Sequence, residues 1–104
     1  MTTRETLLSL AARAEAADGP CEILNSMIAA EFGWGVHPDF TASVDAALTL
    51  VPQDIEWGIS TQDGALFYCW MVSITGAAEV AARTLPLALV AASLRLRAAM
   101  EDGA

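Results

Sequence analysis

His37 and Asp39 are the residues of this chain whose types and spacing come nearest to acid–base chemistry. They lie two residues apart in a glycine-containing loop, where a carboxylate could orient an imidazole that titrates near neutral pH. A solvent-facing loop explains the same residues without chemistry, because no G-x-S-x-G segment and no phosphate-binding glycine loop accompanies them. We therefore assign no catalytic residue and expect that the chain is not an enzyme.

The two cysteines, Cys21 and Cys69, lie far apart and form no C-x-x-C motif. This pattern favours two reduced thiols, although a disulfide stays open because only geometry decides it. The single histidine of the chain offers no spacing typical of a zinc site. We predict no metal and no cofactor.

Aromatic side chains are the remaining indication of a binding site. Trp34 lies between two glycines close to His37, and exposed tryptophans commonly anchor protein partners or stack on planar ligands. For Trp57 and Trp70, packing in the core is the simpler explanation. The candidate contacts with a partner or ligand are Trp34, His37, Asp39, Trp57 and Tyr68.

The charge of the chain is strongly acidic. Thirteen carboxylates oppose five basic residues, all of them arginine, and the net charge is −8. Such a chain repels a phosphate backbone, so we expect no direct nucleic-acid binding. An acidic surface can instead imitate DNA, provided that its carboxylates share one face. The candidates for such a face are Asp39, Asp45, Asp54, Glu56 and Asp63.

The elements that must position these residues follow from apolar periodicity and from the capping, glycine and proline signals. Helices are predicted over residues 3–17, 20–32, 41–51 and 84–100, with Thr41 as the cap of the third helix. Strands are predicted over 55–60 and 65–74, joined around Asp63-Gly64, with a further strand over 79–82.

The strand over 65–74 decides the predicted architecture. Leu66, Tyr68, Trp70, Val72 and Ile74 point to one side, while Phe67, Cys69 and Met71 point to the other. Because both sides are apolar, both faces of the sheet should be covered. The sequence thus predicts one α+β domain in which a small antiparallel sheet of two or three strands is covered by helices on both faces.

The last predicted helix is apolar nearly all round, which indicates burial on more than one side. Either the first two helices or a second copy of the chain could supply the cover, so a homo-oligomer is an open prediction. No run of apolar residues is long enough for a spanning helix, and the N-terminus does not have the pattern of a signal peptide. We expect no membrane contact and a cytoplasmic protein.

Three segments of the chain resemble one protein family. They are LLSLAARAEAADGP at residues 7–20, FTASVDAALTLVP at 40–52 and TLPLALVAASLRLRA at 84–98. Together they look like the phage ABA sandwich domain family of small phage and prophage proteins. The resemblance covers nearly the whole chain and is weakest between Asp54 and Arg83. It implies helices on both faces of a sheet, and it implies no activity and no catalytic residue.

Two functions are compatible with these observations. The first is a non-enzymatic phage or prophage accessory protein that binds a host or phage protein, with counter-defence by an acidic inhibitor as one version. The second is a protein that sequesters a nucleotide or another small ligand in an aromatic pocket. The near absence of basic residues disfavours highly phosphorylated ligands unless Arg4, Arg83, Arg95 or Arg97 converge.

Overall fold

The computed structural model describes residues 3–35, 38–62 and 64–102. In this part of the chain, four helices and three strands follow one another. In chain order they are α1 (Thr3–Ala16), α2 (Glu22–Glu31), α3 (Val44–Leu48), β1 (Glu56–Gln62), β2 (Leu66–Ser73), β3 (Gly76–Ala82) and α4 (Leu85–Asp102).

The three strands form one antiparallel sheet in the order β1-β2-β3, with the long apolar strand in the middle. In its register, Trp70 of β2 lies opposite Gly58 of β1 on one side and opposite Glu79 of β3 on the other. The predicted α+β class is confirmed: a small antiparallel sheet packs against helices in one domain. The third strand is longer than predicted and begins at Gly76.

Helix α4 lies at the centre of the molecule. It contacts α1, α3, β2 and β3, and every side chain from residue 87 to residue 94 is buried. The nearly all-round apolar surface of this helix is therefore covered within the chain itself. Its composition no longer requires a second copy.

The helices cover only one face of the sheet. Cys69 and Met71 of β2 are buried, on the face against which α4 packs. On the opposite face, Trp70 is 43% exposed and Val72 is 44% exposed, and no helix of the described residues packs there. This differs from the predicted cover on both faces. The apolar residues of a strand indicate that burial of both its faces is favourable, but they do not show which element, if any, covers each face.

Helix α3 is shorter than the predicted span 41–51. It begins after Ser43, whose Oγ accepts a hydrogen bond from the Ala46 N–H at 3.3 Å. Thr41 does not cap this helix, because its hydroxyl bonds to a different part of the chain. In the short helix only Ala47 is buried, and the next buried apolar side chain is Leu50.

Candidate functional site

The loop before α3 carries one of the predicted contact residues in a well-packed position. Trp34 is 40% exposed. Its ring packs between those of Phe32, with centroids 5.6 Å apart, and Phe40, at 5.5 Å. Asp39 is exposed, and its backbone carbonyl accepts hydrogen bonds from the N–H groups of Ala42 and Ser43. His37 lies outside the described residues, so the predicted pair with Asp39 stays a prediction.

A buried polar network attaches this loop to α2. The backbone N–H and the hydroxyl of Thr41 both donate to Asn25 Oδ1, at 3.0 and 2.9 Å. The Thr41 hydroxyl in turn accepts a hydrogen bond from the Cys21 N–H at 2.8 Å. Buried polar groups need hydrogen-bond partners, and the groups of Thr41, Asn25 and Cys21 act as partners for one another. These groups therefore stabilise the fold and do not offer a ligand free hydrogen-bonding capacity.

Arg83 and Arg95 form ion pairs with carboxylates of the same chain. Arg95 forms a two-pronged ion pair with Glu15, in which Nη2 donates to Oε1 at 2.7 Å, and this hydrogen bond raises the pKa of Arg95. Arg83 pairs with Asp18 at 3.0 Å. Each of these two guanidinium groups is thus already engaged by a carboxylate of the chain itself.

Arg97 of α4 contacts residues that precede and follow the loop around Trp34 (residues 33–35 and 38–43), which we call the Trp34 loop. Its Nε donates to the Leu50 carbonyl at 2.8 Å, and its guanidinium carbon lies 5.1 Å from the centre of the Phe32 ring. Burial lowers the pKa of Arg97 from its ordinary value. The cation thus links α4 to the end of α2 by a cation–π contact and to the segment after α3 by a hydrogen bond.

The uncovered face of the sheet, which we call the open face, is an exposed apolar surface outside the core. Its middle row comes from β2 and consists of Leu66, Tyr68, Trp70 and Val72. Alternation along the strand places these four side chains together, away from the helices. Ile74, at the tip of the β2–β3 turn, extends the row and is 104% exposed.

The indole of Trp70 lies flat across β1. A Cβ built on Gly58 would come within 2.8 Å of Trp70 Cε2 and Cζ2, so the ring occupies the place where a side chain would stand. The absence of a side chain at Gly58 lets the ring rest on the backbone of the neighbouring strand. The exposed ring is therefore held in position by the sheet.

The predicted contacts Trp57 and Tyr68 lie on opposite faces. Trp57 pairs with Met71 and belongs to the helix-covered face, whereas Tyr68 pairs with Ser60 on the open face. Trp57 is nevertheless 40% exposed, because the edge strand β1 packs only against β2 among the elements of the fold. The structure brings together Tyr68, Trp70 and Val72, and it does not add Trp34 or Trp57 to them.

Trp70, Val72 and Gly58 were not among the residues that the sequence singled out as contacts. The available signal was Gly58, because a glycine inside a strand often marks the close approach of another group. Only the strand register shows that the approaching group is Trp70. Without that register, Trp70 resembles an ordinary core aromatic.

Carboxylates border the open face on both sides. Glu56 of β1 lies opposite Val72, and Glu79 of β3 lies opposite Trp70. Among the other candidates for a DNA-like surface, Asp39, Asp45 and Asp54 precede β1 in the chain, and Asp63 lies outside the described residues. Glu56 is the predicted carboxylate that the strand register places on the open face.

Both described thiols are free. Cys21 is half-buried, and Cys69 is fully buried on the helix-covered face. Desolvation raises the pKa of the Cys69 thiol to about 11, which suppresses the reactive thiolate.

Two shallow grooves lie on the helical side. One, of about 310 Å³, runs between α1 and α2 and is lined by Glu5, Thr6, Ser9, Leu10 and Met27. The other, of about 290 Å³, is lined by Arg13, Ala16, Ala17, Cys21, Ile23 and Leu24. Neither groove contains an aromatic side chain, so neither is the predicted aromatic pocket.

Among the described residues, no group of histidine, cysteine and carboxylate side chains could hold a metal ion, and no helix is long and apolar enough to cross a bilayer. Comparisons of the chain with protein-family models, with curated proteins and with solved structures gave no match. The functional interpretation therefore depends on the geometry of the chain, and the open face is its best candidate site.

Proposed function

We propose that this chain is a non-enzymatic phage or prophage accessory protein that binds a host or phage protein in the host cytoplasm. The open face is the binding surface in this proposal. The phage setting depends on the resemblance of residues 7–20, 40–52 and 84–98 to the phage ABA sandwich domain family.

The observation that carries the proposal is the exposed row on β2. Continuous apolar surfaces outside the core mark interaction sites, and aromatic side chains are their usual anchors. Trp70 is 43% exposed and already rests on Gly58. A partner would not have to order this ring on binding, which lowers the entropic cost of association.

Counter-defence is one version of this function. The chain carries a net charge of −8, and acidic side chains border the open face. A basic surface of a host effector would be attracted over a distance comparable with the Debye length, and contact would then block that surface.

A small planar ligand is the second candidate, and the flat Trp70 indole is the observation that favours it, because every aromatic base or ring can stack on such a surface. The partners found for Arg83, Arg95 and Arg97 disfavour a multiply phosphorylated ligand. A thermal-shift screen with nucleosides and nucleotides tests this candidate. Stabilisation that is lost in Trp70→Ser would establish it in place of the protein-binding function.

Self-association remains part of the proposal as a prediction. The apolar surface of α4 no longer favours self-association, because this helix is buried within the chain. The surface available to a second copy is now the open face or a sheet edge.

Position-specific crosslinking in bacterial cells tests the proposed function. A photoreactive residue at Val72 on the open face should give an adduct with a partner protein, and the same residue at the exposed Glu22 of α2 should not. The adduct should disappear when Trp70→Ser is added and persist with Trp34→Ser, a tryptophan of similar exposure on another surface.

Three results would contradict the proposal. Equal adducts from positions 72 and 22 would indicate non-specific contact. Loss of the adduct in Trp34→Ser with no change in Trp70→Ser would move the site to the Trp34 loop. A crosslinked product that contains only two copies of this chain would show that the open face binds a second copy and not another protein.

A further inference from the structure

The dimensions of the open face limit what can cover it. The sheet has three strands spaced roughly 4.8 Å apart, so the outer strands lie roughly 10 Å from each other, which is close to the width of one α-helix. Along β2, the row from Leu66 to Val72 spans roughly 20 Å. A helix of about 14 residues has that length. The face is thus one helix wide and about four turns long.

The charges at the borders specify the flanks of such a helix. Glu56 and Glu79 lie on the two outer strands, beside Val72 and Trp70 of the middle strand. None of the strand residues that share this face is lysine, arginine or histidine. A helix lying along β2 would therefore place its two sides next to carboxylates, which favours lysine or arginine at both flanks of its apolar stripe.

The same features disfavour a second copy as the occupant. A stable interface between two folded chains buries roughly 800 Å² of accessible surface on each partner, whereas this face measures only about 10 Å by 20 Å, so a second copy would need further contacts outside it. Face-to-face contact of two copies would also bring Glu56 and Glu79 near identical carboxylates in chains that each carry a net charge of −8. A short basic segment fits both the area and the charge.

We propose that the partner segment on the open face is a basic amphipathic α-helix of about 14 residues, with its apolar stripe on Trp70 and its cationic flanks beside Glu56 and Glu79. This inference rests on the proposed protein-binding function and specifies the chemistry of the partner. In the complex, the helix supplies the second cover that the apolar middle strand lacks.

Binding of synthetic peptides to the full chain tests this inference by isothermal titration calorimetry. The probe is a helical peptide of about 14 residues with a leucine stripe and lysine flanks. A second peptide carries glutamate flanks on the same stripe, and a third has the composition of the probe in an order that abolishes the stripe. Only the lysine-flanked helix should bind measurably.

Variants of the chain then locate the peptide. Glu56→Gln with Glu79→Gln should weaken binding by roughly five- to tenfold, the loss expected for two exposed ion pairs. Trp70→Ser should weaken it by roughly tenfold or more, as for an aromatic anchor. Glu22→Gln with Asp45→Asn removes the same charge from exposed positions on α2 and α3 and should leave binding unchanged. The circular dichroism spectrum of each variant confirms that it is folded.

Failure of this inference differs from failure of the proposed function. Equal binding of lysine- and glutamate-flanked peptides, or no effect of the Glu56 and Glu79 variants, would overturn the basic helix. The Trp70-dependent adduct at position 72 would then still support a protein partner of other chemistry. If that adduct is absent as well, the proposed function fails. A sedimentation experiment in which the wild-type chain dimerises and Trp70→Ser does not would assign the face to a second copy.

Discussion

At the scale of single residues, the pair of Gly58 and Trp70 determines the character of the open face. Tryptophan on an exposed sheet face usually moves among rotamers, which costs entropy when a partner fixes the ring. Here the ring lies on a backbone that carries no side chain, so its position is already restricted. The position of the exposed ring therefore depends on Gly58, a residue that has no side chain.

Gly58→Ala should displace the Trp70 ring. A Cβ at this position would lie 2.8 Å from two ring carbons, closer than van der Waals contact allows. In a chain whose other tryptophans are replaced by phenylalanine, acrylamide should quench the fluorescence of Trp70 more strongly in Gly58→Ala. Gly19→Ala is the control, because nothing lies within 4 Å of its added Cβ. Unchanged quenching in Gly58→Ala would show that the ring does not rest on β1.

Cys69 should make the stability of the fold depend on alkaline pH. Burial raises the pKa of its thiol from 9.0 to about 11, so the folded chain holds this proton more tightly than the unfolded chain. The contribution is fully present below pH 9.0, and it is lost as the pH rises towards about 11. It amounts to about 2–3 kcal/mol at most. Urea unfolding at pH 8 and pH 10.5 should therefore show a larger loss of stability in the wild type than in Cys69→Ala.

At the scale of elements, loop length and register explain why the architecture was predicted better than the site. Alternation in β2 correctly indicated which side chains share a face. Gln62 and Leu66 are the last pair of the first hairpin, so its loop spans residues 63–65. A loop of only two residues would shift the pairing by one and place Trp57 opposite Trp70. Such a slip moves every side chain to the other face, and the sequence signal at Asp63-Gly64 does not distinguish the two.

The predicted cover on the second face failed for a related reason. Local patterns indicate only that a surface is apolar. Because α4 is apolar nearly all round, its sequence is compatible with packing in more than one layer of the fold. In the structure, α1 and α3 pack against α4 and cover its apolar surface on the side away from the sheet's open face. Which of two apolar surfaces a helix packs against depends on tertiary packing, for which the sequence contains no local signal.

Thr41 connects the Trp34 loop to α2, so Thr41→Val should destabilise the fold. The substitution keeps the shape of the side chain but removes the hydroxyl that donates to Asn25 Oδ1 and accepts from the Cys21 N–H. Leaving buried polar groups with fewer partners costs about 1–3 kcal/mol, which urea unfolding would measure. Thr49→Val removes an exposed hydroxyl that donates to the Ala46 carbonyl and should cost far less. Equal losses in the two variants would contradict a special role of the buried network.

At the scale of the whole molecule, the net charge of −8 determines the sign of the surface field. The chain has five arginines against thirteen carboxylates. Arg83 and Arg95 are each paired with a carboxylate of the same chain, and Arg97 is half-buried beneath a loop. These one-to-one pairs leave the net charge of −8 unchanged, so the surface field is negative. This field should attract a basic partner and oppose contact between two copies.

Salt should therefore weaken binding of the lysine-flanked peptide and strengthen self-association of the chain. Raising NaCl from about 50 mM to about 500 mM shortens the Debye length from roughly 14 Å to roughly 4 Å. The lysine-flanked peptide should bind roughly tenfold more weakly at the higher concentration, and its salt dependence should be smaller in the double variant Glu56→Gln/Glu79→Gln. Self-association, measured by sedimentation, should instead strengthen, because screening reduces the repulsion between copies of charge −8. The control variant Glu22→Gln/Asp45→Asn should keep the wild-type salt dependence of peptide binding. If peptide binding is insensitive to salt, the carboxylates at the borders of the open face do not select its partner.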